Sequence, residues 1–221
     1  MANAYFGVWR AGSDGHYLWV NANWENFRAK WQELSAQGLR LTNLEVQNVG
    51  LKPTVRMHVK ILTTPTVAID TMVTRMREVY ESVGVEVQLA STENLNLPAL
   101  NDCDVGECNS GQTPTAEQAQ LFGNRNNVGA NEVTVYFVRS TVPPSNGCAA
   151  HPSGRPGALV AQGATQWTLG HEVGHVLGLR HVNDNNRLMT GNGTGNITNA
   201  PPDIVATETQ TMVASPLTIN L

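Results

Sequence analysis

Charge is scarce in this chain. Asp, Glu, Lys and Arg make up 14% of the 221 residues, the formal net charge is -4, and Lys and Arg form no cluster. A nucleic acid or an anionic membrane surface needs a basic footprint, so neither is expected as a partner. Long apolar runs are missing too, which excludes membrane insertion by a spanning helix. Cysteine is rare: Cys103, Cys108 and Cys148 permit one bridge, in any of three pairings, and leave one thiol over. Met1-Ala2-Asn3-Ala4-Tyr5 carries no basic region leading into an apolar core, so no signal peptide is visible. Aromatic residues are few at 6%, yet four of the five tryptophans fall within the first 31 residues. With hydrophobic residues at 41%, a folded protein with a polar surface is expected.

What stands out is His171-Glu172-Val173-Gly174-His175-Val176-Leu177-Gly178-Leu179-Arg180-His181. On a helix, residues i and i+4 share a face, so His171 and His175 present their imidazoles side by side. Glu172 stands about 100° around the same turn, able to reach a metal-bound water without being a ligand. Gly178 can take the positive φ that ends a helix and returns the chain, which brings in His181 as a third ligand. Three neutral imidazoles with an open fourth position describe a catalytic zinc site, since structural zinc is closed by four protein ligands. Chance supplies a bare HExxH often; the extra glycine and histidine at fixed offsets make chance a poor explanation. Eight residues beyond His181, Met189 sits in the polar turn Arg187-Leu188-Met189-Thr190-Gly191.

These motifs resemble the metzincin clan of zinc endopeptidases, whose Met-turn lays a hydrophobic base under the metal. The resemblance implies zinc on His171, His175 and His181, Glu172 as general base, Met189 as the Met-turn methionine, and a protein or peptide substrate. The tyrosine that some metzincins place just after the Met-turn is absent, because Thr190 and Gly191 follow Met189. Val182, after the third histidine, is not the Ser, Asp, Glu or Pro of the familiar groups, which sets the chain outside the best-known families. Free protease activity is hazardous in a cytoplasm, so secretion is expected. A narrow hydrolase of Gly-rich or cell-wall peptides is one rival reading. A binding protein with structural zinc is another, although Glu172 has no purpose there.

The expected fold is α+β in two parts. Residues 1–50 read as a small strand–turn–strand–helix–strand module: strands at 5–10 and 16–20, a turn at 11–15, and a helix from Trp24 to Gln37 capped by Asn23. Trp24, Phe27, Trp31 and Leu34 repeat at helical spacing, and the tryptophans read better as a small core than as a stacking surface. The module resembles the short tandem repeat of polyglycine-hydrolase-like proteins. One repeat leaves a sheet face uncovered, which points to packing on the second domain or to self-association.

Residues 51–221 read as a metzincin-like domain with a mixed twisted sheet, an active-site helix and a C-terminal helix. Strands are expected at 54–62, 85–89, 132–139 and 158–161, with a helix from Pro65 to Ser82 as a crossover. Residues 91–131 form a long irregular insertion broken by a short helix near 115–122. The edge strand that would hold an extended peptide falls near 147–151, with His151 beside it as a rim residue. Pro201 and Pro202 are expected to open the last helix. His16 and His58, in strands, read as structural.

Overall fold

The computed structural model describes residues 2–11, 15–21, 24–49, 51–109 and 111–221. They fall into two compact units, Met1–Leu51 and Lys52–Leu221. In the first, β1 (Ala2–Ala11) is the centre of an antiparallel sheet, flanked by β2 (Gly15–Asn21) and β3 (Arg40–Val49), with α1 (Trp24–Ala36) between β2 and β3 in sequence. Gly38, at φ 81°, ends α1. Phe27 and Leu34 are buried against Leu39 and Leu41. Trp31 departs from the expected inward face: it is 39% exposed, because Phe27 and Leu34 define the buried stripe and Trp31 lies on its flank. The turn at 12–14, the Asn23 cap and the side chains of Trp9, His16, Trp19 and Trp24 lie outside the described residues.

The second unit is an α+β domain on a six-stranded mixed sheet. Its centre is β4 (Pro53–Ile61), parallel to β5 (Glu86–Asn94) on one side. Across the sheet, after the short β6 (Asp102–Asp104), come β7 (Val133–Val138), parallel to β4, and β8 (Ser140–Val142), which pairs with β6. The two-residue β9 (Gly147–Cys148) forms the edge, antiparallel to β10 (Gly157–Ala161), which lies parallel beside β7. The C-terminal β11 (Thr218–Asn220) pairs with the start of β4. The crossover from β4 to β5 runs through α2 (Ile69–Glu81), which does not begin at Pro65. Thr66 N–H donates to Gln162 O at 2.9 Å and Ala68 sits at ψ 138°, so this segment is held out of the helix.

Every residue of β7 and β10 is buried, because both faces of the sheet are covered. On one face Val55, Met57, Val59, Val135 and Phe137 pack against Met72, Met76 and Tyr80 of α2 and against Leu169 and Val173. On the other, Tyr136, Val138 and Leu159 pack against Leu100, Cys103, Val105, Leu121 and Phe122 of the insertion. The insertion therefore roofs the sheet. Its helix α3 (Ala116–Leu121) starts at a reciprocal cap between Thr115 and Gln118. Further along the same face, buried Lys60 pairs with Glu93, while His58 bridges Ser91 at 2.7 Å and Glu132 at 2.8 Å. That network makes His58 structural. The helix α4 (Thr168–Val176) carries the motif, and α5 (Ala206–Ala214) follows, starting later than Pro201 and Pro202 suggest. Asp203 is tied to the turn beneath α4, donating to Asn186 O at 2.8 Å and accepting from Leu188 N–H at 3.0 Å, which keeps 201–205 out of the helix.

Candidate metal centre

One turn apart on α4, His171 and His175 face the same way. The helix ends at Gly178, φ 104°, where Leu179 N–H donates back to Gly174 O at 2.9 Å. This reversal delivers His181. The three Nε2 atoms then lie 2.9 to 3.2 Å apart. Backbone carbonyls fix which nitrogens meet. His171 Nδ1–H donates to Leu188 O at 2.7 Å and His175 Nδ1–H to Leu179 O at 2.8 Å. A carbonyl can only accept, so each of these rings keeps its proton on Nδ1 and turns an Nε2 lone pair inward.

Lone pairs that close repel, and among the described residues no other cluster of three metal-binding side chains occurs. Burial reinforces the pattern: it pushes His171 down to about 4 and also lowers His175, so both rings stay neutral. Neutral imidazoles are what a divalent metal requires. Nitrogens about 2.0–2.1 Å from one tetrahedral Zn²⁺ lie about 3.3 Å from each other, close to the spacing here. The donor set fits zinc.

The turn at Arg187–Gly191 supports the cluster from below. Val182 N–H donates to Met189 O at 2.9 Å, and Gly191 N–H to Val182 O at 2.8 Å. Met189 is fully buried, its Sδ 2.7 Å from where a Cβ on Gly174 would stand. The glycine inside the motif is thus the space the methionine occupies. Arg187 also pairs with Glu208 of α5 at 2.6 Å, locking the turn to the last helix.

Glu172 is 7% exposed and makes no hydrogen bond or ion pair with a described residue. Burial alone pushes its carboxyl up to about 8. Its neighbour is Gly147 of β9: a Cβ there would stand 2.6 Å from Glu172 Cγ and Oε1. Next along β9, Cys148 is bridged to Cys108, and Cys103 is the free, buried thiol. His151, partly buried, turns Nδ1 to Pro152 O at 3.1 Å and stays out of the cluster. Sequence reasoning placed the three histidines, Glu172 and Met189 in one motif but missed Gly147. Residue 147 entered only as the start of the edge strand expected near 147–151, and nothing there pointed to Glu172.

Residues 48–216 match the family described as metallo-peptidase family M12B, reprolysin-like. The match begins at residue 48 and leaves out nearly all of the 1–50 module, for which nothing supports the expected polyglycine-hydrolase-like repeat. No curated protein matches the chain. Among solved structures it is similar to archaemetzincin from Methanopyrus kandleri, at 16% identity and TM-score 0.48, over 72% of this chain and 93% of that one. It is also similar to a zinc-dependent peptidase from Methanocorpusculum labreanum (strain Z), at 12% identity and TM-score 0.45, over 71% of this chain and 99% of that one. With the family match spanning most of its length, the chain belongs to the M12B reprolysin-like metallo-peptidases.

Proposed function

We propose that this protein is a zinc-dependent endopeptidase in which His171, His175 and His181 hold the metal and Glu172 moves the proton. The observation that carries the reading is the convergence of three histidine Nε2 atoms, with the adjoining Glu172 side chain buried and without a hydrogen-bond or ion-pair partner among the described residues. When bound there, zinc supplies Lewis acidity, lowering the pKa of a bound water and polarising the scissile carbonyl. Glu172 accepts the proton of the attacking water and passes one to the leaving amine. The rings of His171 and His175 are kept in orientation by the Leu188 and Leu179 carbonyls. Met189 closes the floor and excludes water from below.

The substrate is a protein or peptide, laid extended along β9 so that backbone hydrogen bonds continue the sheet. Secretion belongs to the same reading, supported by the Cys108–Cys148 disulfide, which persists in oxidising compartments. No described helix is long and apolar enough to cross a membrane. The catalytic part is residues 51–221, and the module at 1–50 is accessory to it.

The test compares zinc content and cleavage of a generic unfolded protein for wild type and Glu172→Ala. One zinc per chain in both, with cleavage falling ~100-fold or more in the variant, is the expected result. A folded wild-type chain that takes up no zinc would defeat the reading.

A further inference from the structure

We propose that Gly147 and the Cys108–Cys148 disulfide are positioning elements for Glu172, so that the insertion between β5 and β7 sets where the carboxylate stands. The inference rests on the reading of Glu172 as the proton acceptor.

Space is the first reason. Gly147 is not among the left-handed glycines, so its backbone admits any side chain. What a side chain lacks is room: a Cβ would fall 2.6 Å from Glu172 Cγ and Oε1 and 2.7 Å from Cδ. The glycine is there to let the glutamate lie against the strand. Among the described residues the Glu172 side chain has no hydrogen bond or ion pair to fix it, so packing, this wall included, is what restricts its rotamers.

The second reason is how the wall is held. β9 is two residues long and pairs on one side only, with Leu159 and Val160 of β10. Such a short edge has little sheet pairing to keep it in place. The insertion supplies the rest. Cys108 grips Cys148 covalently, and Gln118 of α3, fully buried, donates from Nε2 to Ala150 O at 3.0 Å. Cys148 itself is buried in the cluster the insertion forms on the sheet. A path thus runs from insertion to disulfide, to β9, to Gly147, to Glu172. The carbonyls that orient His171 and His175 lie off this path, in the turn and helix end beneath the site. Positioning of the carboxylate and affinity for the metal are therefore separable.

The experiment uses the full zinc-loaded chain and the best-cleaved peptide from the unfolded-protein assay. It compares wild type, Gly147→Ala and the double variant Cys108→Ser/Cys148→Ser. Displacing a catalytic group by about 1 Å costs on the order of 100-fold. We expect kcat to fall ~100-fold in Gly147→Ala and at least ~10-fold in the double variant. Zinc per chain and zinc affinity in a chelator competition stay at the wild-type value. A crystal structure of Gly147→Ala shows the Glu172 carboxylate displaced with the three histidines in place. Full kcat in both variants overturns the proposal, as does loss of zinc in proportion to loss of kcat, or a carboxylate unmoved in the Gly147→Ala structure. If Gly147→Ala does not fold, the double variant decides through the same split between kcat and zinc affinity. A wild-type chain that binds zinc but cleaves no peptide defeats the endopeptidase reading instead, and the Gly147→Ala structure still decides the positioning.

Discussion

Gly174 occupies the interior of α4, where glycine costs a helix about 1 kcal/mol relative to alanine. The cost is offset by Met189, whose sulfur fills the space a Cβ would need. Gly174→Ala should therefore lose stability despite its better helix propensity, by about 1–3 kcal/mol, the usual range for overpacking a core. Thermal or urea melts of the zinc-loaded protein check this, and a rise in stability would refute it. At this scale the sequence was most informative where chemistry needs a fixed spacing. The histidines and Glu172 are set by helical geometry and a single reversal, which can be read along the chain. Gly147 could not be read that way. Its contact with Glu172 joins an edge strand to a helix, and nothing local in Ser145-Asn146-Gly147 announces it.

Among the elements, α4 and the reversal after it bring together a donor set that a metal would complete. Two Nε2 lone pairs, on His171 and His175, face each other at 3.1 Å with no proton between them. With the site empty that repulsion stands uncompensated, beside a buried His171 and a partly buried His175. Chelation should thus lower the melting temperature, and added zinc should restore it; a metal held at 100 times its Kd contributes about 2.7 kcal/mol. Calorimetry with and without chelator reads this, and identical transitions would count against a zinc-completed site. Helix existence was legible from periodicity, but two helix starts were not. Pro65 and Pro201 look like first-turn prolines, yet long-range hydrogen bonds from Thr66 to Gln162 and between Asp203 and the 186–188 turn hold their segments outside the helices. Tertiary partners of this kind outweigh a local propensity and leave no trace in the local sequence.

For the molecule as a whole, the sheet's second face was the hidden part. The insertion lacks periodicity, so nothing in it shows that Leu100, Val105, Leu121 and Phe122 converge on Tyr136 and Leu159. The same cluster seals Cys103, fully buried, and burial with the nearby Glu117 and Asp104 charges pushes its thiol up to about 12. The native chain should accordingly resist alkylation at this site. Mass spectrometry should find one modified cysteine after unfolding and three after unfolding with reduction; rapid modification of the native chain would contradict the burial. A further consequence concerns proofreading. Before the fold closes, Cys103 and Cys108 compete for Cys148, and a thiolate is the species that exchanges. Joining Cys148 to Cys103 would spend the residue that the finished interior hides and leave Cys108 exchangeable at the rim. The observed pairing leaves Cys103 as the spare, sealed in the interior and out of reach of further exchange, whereas a Cys103–Cys148 bridge leaves the partly exposed Cys108 as a thiol that can still exchange.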